Sequence, residues 1–554
     1  MSTDAVVIHT KERLTGVVQA VGRRPNDIER RWWESALVFL LFTVAYSIFG
    51  HWLVVDKHVV GFETLDRLNR ALMVWHNDPA KLSAIGFDYP PLATLLIAPL
   101  AIWRDFVTSL SAVPVASAIF ASLTMVALNT MMRRALVAGP LRYALLIALG
   151  ANPLVLLYAT TGTRHFVWIA FVTLGLGALF AWYITADVRF VMLAGISYAV
   201  AALSGYSSLT FFVLSAVMIG AILARLGADG SEVEGTVVGF AAPTVYVIAL
   251  WTVFNLILLL SPFGWITRSS DSAASGGLDQ FSAVELLEAT GKLVLYGAPL
   301  AIVVLPALVF AGFARGNPFA LWLGVMLGGT ILMPALAVAL RLTDSPMLMR
   351  NALPILVLSV IGAVWLARSA DEGSTLVAAL VIVGLVASIP WTLNAMKTYR
   401  YQNLEAPFAA ALTTGESQEG AETVNGETVG IVSEQAMAKF VRNNVSRGSS
   451  ILTDNAQTYA VMMLTGKPEL FFDRIDESDG PWKDAARDPA QHVDYLLMST
   501  SDNGDLLTKL YPDAAAGNDP QLQVVYRTPR YVLVDVPAGY NPGAQTQDQI
   551  EVVS

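Results

Sequence analysis

The sequence predicts a polytopic α-helical membrane protein carrying a small α/β domain at its C-terminal end, and three observations lead there. The chain has 554 residues, 55% of them hydrophobic and only 14% charged, whereas soluble domains carry about 25% charged residues. Apolar stretches of spanning length recur between residues 35 and 393, and mean hydropathy is +0.55. From about residue 420 the chain turns polar, with Gly, Asn, Asp and Glu frequent.

These numbers also exclude. A net charge of −9 leaves no basic footprint, so no nucleic-acid partner is expected. With no cysteine there is no disulfide framework, thiolate metal site or thiol nucleophile. The six histidines lie too far apart in sequence for zinc-type spacing, so no metal site is expected.

Residues 1–34 form a polar tail containing Arg23, Arg24, Arg30 and Arg31, expected to be cytoplasmic by the positive-inside rule. A span needs roughly 20 apolar residues to cross about 30 Å of hydrocarbon. Eleven such stretches run near 35–55, 111–132, 143–160, 166–184, 189–203, 209–225, 236–260, 292–313, 318–340, 353–368 and 375–393. The first is too long for a signal-peptide core and has no small-residue cleavage pattern after it. Alternation then puts Arg133, Arg134, Arg142, Arg189, Arg225, Arg315 and Arg368 on the cytoplasmic side. The run Pro91 to Trp103 is only 13 residues, too short to cross, and is expected as a re-entrant or interfacial helix outside.

An odd span count places the rest of the chain outside the plasma membrane. Residues 394–428 read as a linker, 429–541 as an exterior α/β domain and 542–554 as a disordered tail. In the domain, β-type runs at Ser450 to Thr453, Leu470 to Asp473, Val493 to Met498 and Gln523 to Asp535 alternate with helical patterns at Ser433 to Val445 and Ala456 to Leu464. Thr528-Pro529-Arg530 reads as the turn of a closing hairpin, and the acidic run Asp473 to Asp479 as a solvated loop.

Two exterior connections are long, residues 56–89 and Ser261 to Gly291, where compact connections run about 4 to 6 residues. In the first, Phe62, Leu65, Leu68, Leu72 and Trp75 recur at three- and four-residue intervals, the signature of an amphipathic helix, here expected on the membrane surface. Glu63, Asp66, Arg67 and Arg70 share its polar face. A solvated face with Glu63/Arg67 and Asp66/Arg70 pairs accounts for them without any function. The loop ends Gly86-Phe87-Asp88-Tyr89-Pro90-Pro91-Leu92, where the prolines force a turn into the bilayer and leave Asp88 at its rim. There Asp88 is either a helix cap or a desolvated carboxylate suited to a base or cation site.

This constellation resembles the polytopic glycosyltransferases of the C superfamily, GT-C. Those are polyprenyl-phosphate-sugar-dependent enzymes that include protein O-mannosyltransferases, lipid A aminoarabinose transferases and actinobacterial mannosyl- and arabinofuranosyltransferases. Arg350-Asn351-Ala352-Leu353-Pro354 is similar to the superfamily's Arg-x-x-Leu-Pro element, near which the lipid phosphate is held. The resemblance implies a GT-C fold over residues 34–393 and a catalytic base in the first exterior loop. Relatives often carry Asp-Glu where this chain reads Phe62-Glu63, so the base is Glu63 or Asp66, with Asp66 favoured on residue type. Asp88 is implied as a second carboxylate. Tyr89, Arg67, Arg164, His165, Arg341 and Arg350 are the implied substrate contacts, although arginines at helix ends also serve as snorkelling anchors. Gly162-Thr163-Arg164-His165 departs from the acidic or Gln-x-Asn pattern of relatives in the same loop.

The implied partners are a polyprenyl-phosphate lipid donor, the membrane, and a glycan, glycolipid or protein acceptor. No cofactor is required; the superfamily admits a divalent cation, but no ligand cluster demands one. No nucleotide-phosphate loop is present, which fits a lipid donor. Two other classes stay open on sequence alone: a lipid or polysaccharide transporter, disfavoured by the lack of internal repeats and midplane carboxylates, and a non-catalytic envelope scaffold.

Overall fold

The computed structural model describes residues 31–80, 82–86, 90–162, 164–263, 282–339, 347–370, 373–418, 422–424, 427–474, 480–500 and 505–540. Helices of eight or more residues are numbered along the chain. They are α1 (Trp32–His51), α2 (Phe62–His76), α3 (Ala112–Arg134), α4 (Gly139–Gly150), α5 (His165–Thr185), α6 (Val188–Ala202), α7 (Ser208–Arg225), α8 (Gly230–Leu259) and α9 (Ala283–Gly297). After these come α10 (Leu300–Ala314), α11 (Pro318–Ala339), α12 (Leu353–Ser369), α13 (Ser374–Met396), α14 (Glu405–Thr413), α15 (Val432–Asn444), α16 (Asn455–Thr465) and α17 (Gly480–Arg487). The chain divides into two compact units: Met1–Phe49, Phe87–Ala93 and Ser117–Thr413 form the first, and Gly50–Gly86, Thr94–Ala116 and Thr414–Ser554 the second.

The first unit is a helical bundle. Eight described helices are long and apolar enough to cross a membrane, and the pair Val284–Gly297 and Leu300–Ala314, bent by 101°, counts as a ninth. The bend falls where Pro299 removes a backbone donor from the ladder. Eight of the eleven expected stretches fall on these spanning helices and 292–313 on the bent pair, whereas α4 and α6, at 143–160 and 189–203, are shorter than a span. The stretch 143–160 is interrupted at Asn152, whose side chain accepts from the Leu154 N–H and starts the short helix Pro153–Tyr158. Hydropathy marks a segment as apolar without distinguishing lipid from protein as its surroundings.

Close helix packing uses small residues, as expected without a hydrophobic drive between helices in lipid. A Cβ on Gly195 would come 2.2 Å from the Phe240 carbonyl, and one on Gly312 would come 2.8 Å from the Leu321 backbone. Charges gather at one end. Glu34, 1% exposed, accepts from Arg142 at 2.7 Å and Asn129 at 3.1 Å, with Arg133 at 3.7 Å. Arg368 donates to the Arg134 carbonyl at 2.6 Å, and Arg134 lies over the Phe190 ring. These residues sit at ends of α1, α3, α4, α6 and α12, where Arg133 and Arg142 meet Glu34 and Arg368 meets the Arg134 backbone.

The second unit is an α/β domain built from both halves of the sequence. Its strands β3 (Ile451–Asp454), β4 (Phe471–Arg474), β5 (Tyr495–Ser499), β6 (Gln523–Arg527) and β7 (Tyr531–Asp535) form one sheet in the order β4-β3-β5-β7-β6. The first two pairings are parallel, and β7 is antiparallel to β5 and to β6, the expected closing hairpin. A separate hairpin pairs β1 (Glu422–Val424) with β2 (Glu427–Val429) across the end of the expected linker, which also contains α14.

Alternation along the strands divides the core in two. Ile451, Leu497 and Leu533 face one core, while Leu452, Leu496, Met498, Val532 and Val534 face the other with Trp482 and Leu507. The first core also takes in Leu65, Leu68 and Leu72 of α2, which pack with Val461, Leu464 and Leu470. This corrects the expectation of a helix lying on the membrane surface. The apolar stripe of α2 is real, but protein covers it, and each of the three leucines is at most 1% exposed. Pro91 to Trp103 is not one helix but two short turns, Leu92–Leu95 and Ala98–Ile102, with Ile102 and Trp103 exposed.

Candidate active site

The second unit fixes α2 at both ends. Near its start, Phe62 meets Tyr459 edge-on at 6.2 Å and lies under the Arg530 guanidinium at 5.2 Å. Arg530 pairs with Glu434, which is fully buried, and also donates to the Gly430 carbonyl at 2.8 Å. Burial pushes the Glu434 carboxyl above its ordinary range, against the opposing pull of Arg530. At the other end Trp75 donates to the Ala98 carbonyl at 2.8 Å, and Asn77 donates to Asp473 at 3.5 Å. Asp473, expected in a solvated loop, is buried and also accepts from Asn455 at 3.3 Å. Residues 475–479 of that acidic run lie outside the described residues.

A helix held this way presents its polar face rigidly, the condition for a useful catalytic group. Asp66 and Arg70 form the expected i, i+4 pair, Nε to Oδ2 at 2.8 Å, with side chains 28% and 30% exposed. Arg67 is buried, its Nε 3.4 Å from the Glu63 carbonyl. Glu63 is half-buried on the same face. The Arg70 guanidinium gives the Asp66 carboxylate a defined orientation, and its partial exposure leaves it reachable by a hydroxyl.

The first unit carries a second set of polar groups. His165, 8% exposed, begins α5 next to Arg164, and its ring lies 5.6 Å from that of Tyr158. The Tyr158 hydroxyl donates to Glu405 at 2.6 Å, and the other oxygen of this fully buried carboxylate accepts from the Asn403 N–H at 2.8 Å. Arg350 lies in the 3-10 turn Met349–Ala352 that leads into α12. That turn is braced by the Met349 N–H on the Tyr401 carbonyl at 3.2 Å and by Gly297, where a Cβ would fall 2.3 Å from the Ala352 Cβ. Guanidinium and imidazole groups can donate charge-assisted hydrogen bonds to an anion.

Of the sequence-derived site residues, Glu63, Asp66 and Arg67 come together on α2, and Arg164 and His165 come together at the start of α5. Asp88, Tyr89 and Arg341 lie outside the described residues. Sequence reasoning missed Tyr158 and Glu405, one read as the end of a span and the other as linker; nothing in their neighbourhoods marks them as a pair 247 positions apart. Among the described residues no three His, Asp or Glu side chains come together as a cation site.

No protein-family model matches the sequence, and no curated protein matches it. Solved structures do. ArnT from Cupriavidus metallidurans bound to undecaprenyl phosphate matches with a TM-score of 0.56 at 15% identity, over 91% of this chain and 99% of that one. ArnT from the same organism in the apo state gives 0.42 at 12% identity, covering 92% and 99%. The Archaeoglobus fulgidus oligosaccharyltransferase in the apo form gives 0.44 at 10% identity, covering 88% and 70%. The first likeness shows that this chain, with its apolar helices of spanning length, shares its fold with that ArnT structure.

Proposed function

We propose that the chain is a membrane glycosyltransferase that moves a sugar from a polyprenyl-phosphate-linked donor to a glycan, lipid or protein acceptor at the exterior face of the plasma membrane. The observation that carries the reading is Asp66, a partly exposed carboxylate on a helix fixed at both ends, in a chain that shares its fold with a protein holding undecaprenyl phosphate. In the reaction the acceptor oxygen bonds to the anomeric carbon while the bond from that carbon to the phosphate oxygen breaks and its electron pair stays with the phosphate. The acceptor proton goes to Asp66, with Glu63 as the other candidate for that role. Arg164, His165, Arg341 and Arg350 neutralise the released phosphate. Asp88 is the second essential carboxylate, and Tyr89 and Arg67 contact substrate.

The finer reading is a mannosyl or arabinosyl donor, as used by cell-envelope enzymes, with the N-terminus cytoplasmic and the α/β unit outside, where it aligns the acceptor. No cofactor is required beyond the lipid donor.

The test is transfer from a labelled polyprenyl-phosphate sugar by the full chain in nanodiscs. Asp66→Asn and Asp88→Asn are each expected to lower the rate by about 100-fold or more, the order for removing a positioned base. Wild-type rates in Asp66→Asn, Glu63→Gln and Asp88→Asn alike, with normal expression, would leave the reaction without a base. Movement of lipid across proteoliposomes without a new glycosidic bond would favour a transporter instead.

A further inference from the structure

Arg70 does more than neutralise its neighbour. Its Nε donates to Asp66 Oδ2 at 2.8 Å, and its Nη1 reaches to 3.5 Å from the Ala84 carbonyl in the 3-10 turn Leu82–Ile85. Immediately after that turn Gly86 adopts φ +78°, and a Cβ there would lie 2.8 Å from the same Nη1. The guanidinium is thus held between a carboxylate on α2 and a backbone turn, and the missing side chain of residue 86 leaves it room. An i, i+4 pair on an ordinary surface helix has no such second support, and side-chain entropy leaves it loosely defined.

We propose that Arg70 is a positioning residue that holds the Asp66 carboxylate in one orientation, and that Gly86 is part of the same device because any side chain there displaces the guanidinium. The inference rests on the proposed role of Asp66 as base. A planar fork touching two partners fixes direction as well as charge, which a lysine ammonium does not. Removing it leaves the carboxylate present but free to turn, so the loss falls on turnover rather than on donor binding.

The experiment is a double-mutant cycle on the full chain in nanodiscs, reading kcat, KM for the labelled lipid donor, and Tm. Arg70→Met is expected to lower kcat by roughly 10- to 100-fold with KM within about twofold of the wild type. Arg70→Lys is expected to recover less than about a third of wild-type kcat. Gly86→Ala introduces backbone strain at a positive φ whatever residue 70 is, so it lowers Tm in both backgrounds. Its effect on kcat, about fivefold in the wild type, should shrink below about twofold in Arg70→Met, because the displaced group is already gone. Wild-type kcat in Arg70→Met, full recovery by Arg70→Lys, or multiplying kcat effects in the double variant would each overturn the proposal. Asp66→Asn in the same series separates the two claims. If it is inactive while Arg70→Met is normal, only the positioning role fails; if it is fully active, the base assignment fails with it.

Discussion

Leu68→Ala gives the most direct test that a loop near the start of the chain and a domain near its end share one core. Leu68 is 1% exposed and belongs to the cluster that contains Val461, Leu464, Leu470 and Leu533. Truncating a buried leucine costs about 2 to 5 kcal/mol, the lost transfer energy plus the cavity left behind. Taking about 3 kcal/mol, at 1.36 kcal/mol per tenfold, the open population of the second unit rises about 150-fold. Proteolysis that samples transient opening tracks that population when reclosing outpaces cleavage. The assay is therefore limited proteolysis of the full protein in nanodiscs, following cleavage between residues 432 and 540. Leu40→Ala is the control, since that side chain is 58% exposed on α1 and its loss opens no cavity. Unchanged cleavage of the C-terminal segment in Leu68→Ala would refute a shared core, as would equal acceleration by Leu40→Ala.

Two more outcomes concern charges in the same unit. Glu434→Gln leaves the Arg530 guanidinium without its carboxylate, with side chains only 13% and 0% exposed in the pair, and is expected to destabilise the unit by about 3 kcal/mol. The double variant Glu434→Gln/Arg530→Met should lose less than the sum of the single changes, and simple additivity in Tm would show that the pair is not coupled. Asp505, 2% exposed, accepts from the Ser499 and Thr508 N–H groups, and burial pushes its carboxyl up to about 6 from 3.8, with Asp454 adding to the rise. The folded state therefore holds this proton more tightly than the unfolded one. The resulting contribution to stability is complete below about pH 4 and is lost as pH rises through about 6, a change of about 3 kcal/mol at 1.36 kcal/mol per unit. Asp505→Asn should flatten the Tm difference between pH 5 and pH 7.5, and an unchanged slope would assign that dependence to other groups.

Composition and local periodicity carried much of the architecture. A span is legible because about 20 consecutive apolar residues are a local property, and eight of the eleven stretches read that way fall on single helices of spanning length, a ninth on the bent pair. Strands β3, β4 and β5 and the β6–β7 hairpin appear within two or three residues of their expected places, since alternation and turn residues are also local. The Asp66–Arg70 pair was legible for the same reason, because helical geometry brings i and i+4 together.

Other features depended on what the chain folds against. The spacing of Leu65, Leu68 and Leu72 declares an apolar face but says nothing about its covering, and a bilayer and a protein core satisfy the hydrophobic effect equally well. The covering residues lie almost 400 positions away, in α16 and the sheet. The parallel pairing of β3 with β4 and β5, the Tyr158–Glu405 contact and the fit of Arg70 beside Gly86 are likewise products of tertiary structure, because each joins groups whose separation along the chain encodes no distance in space.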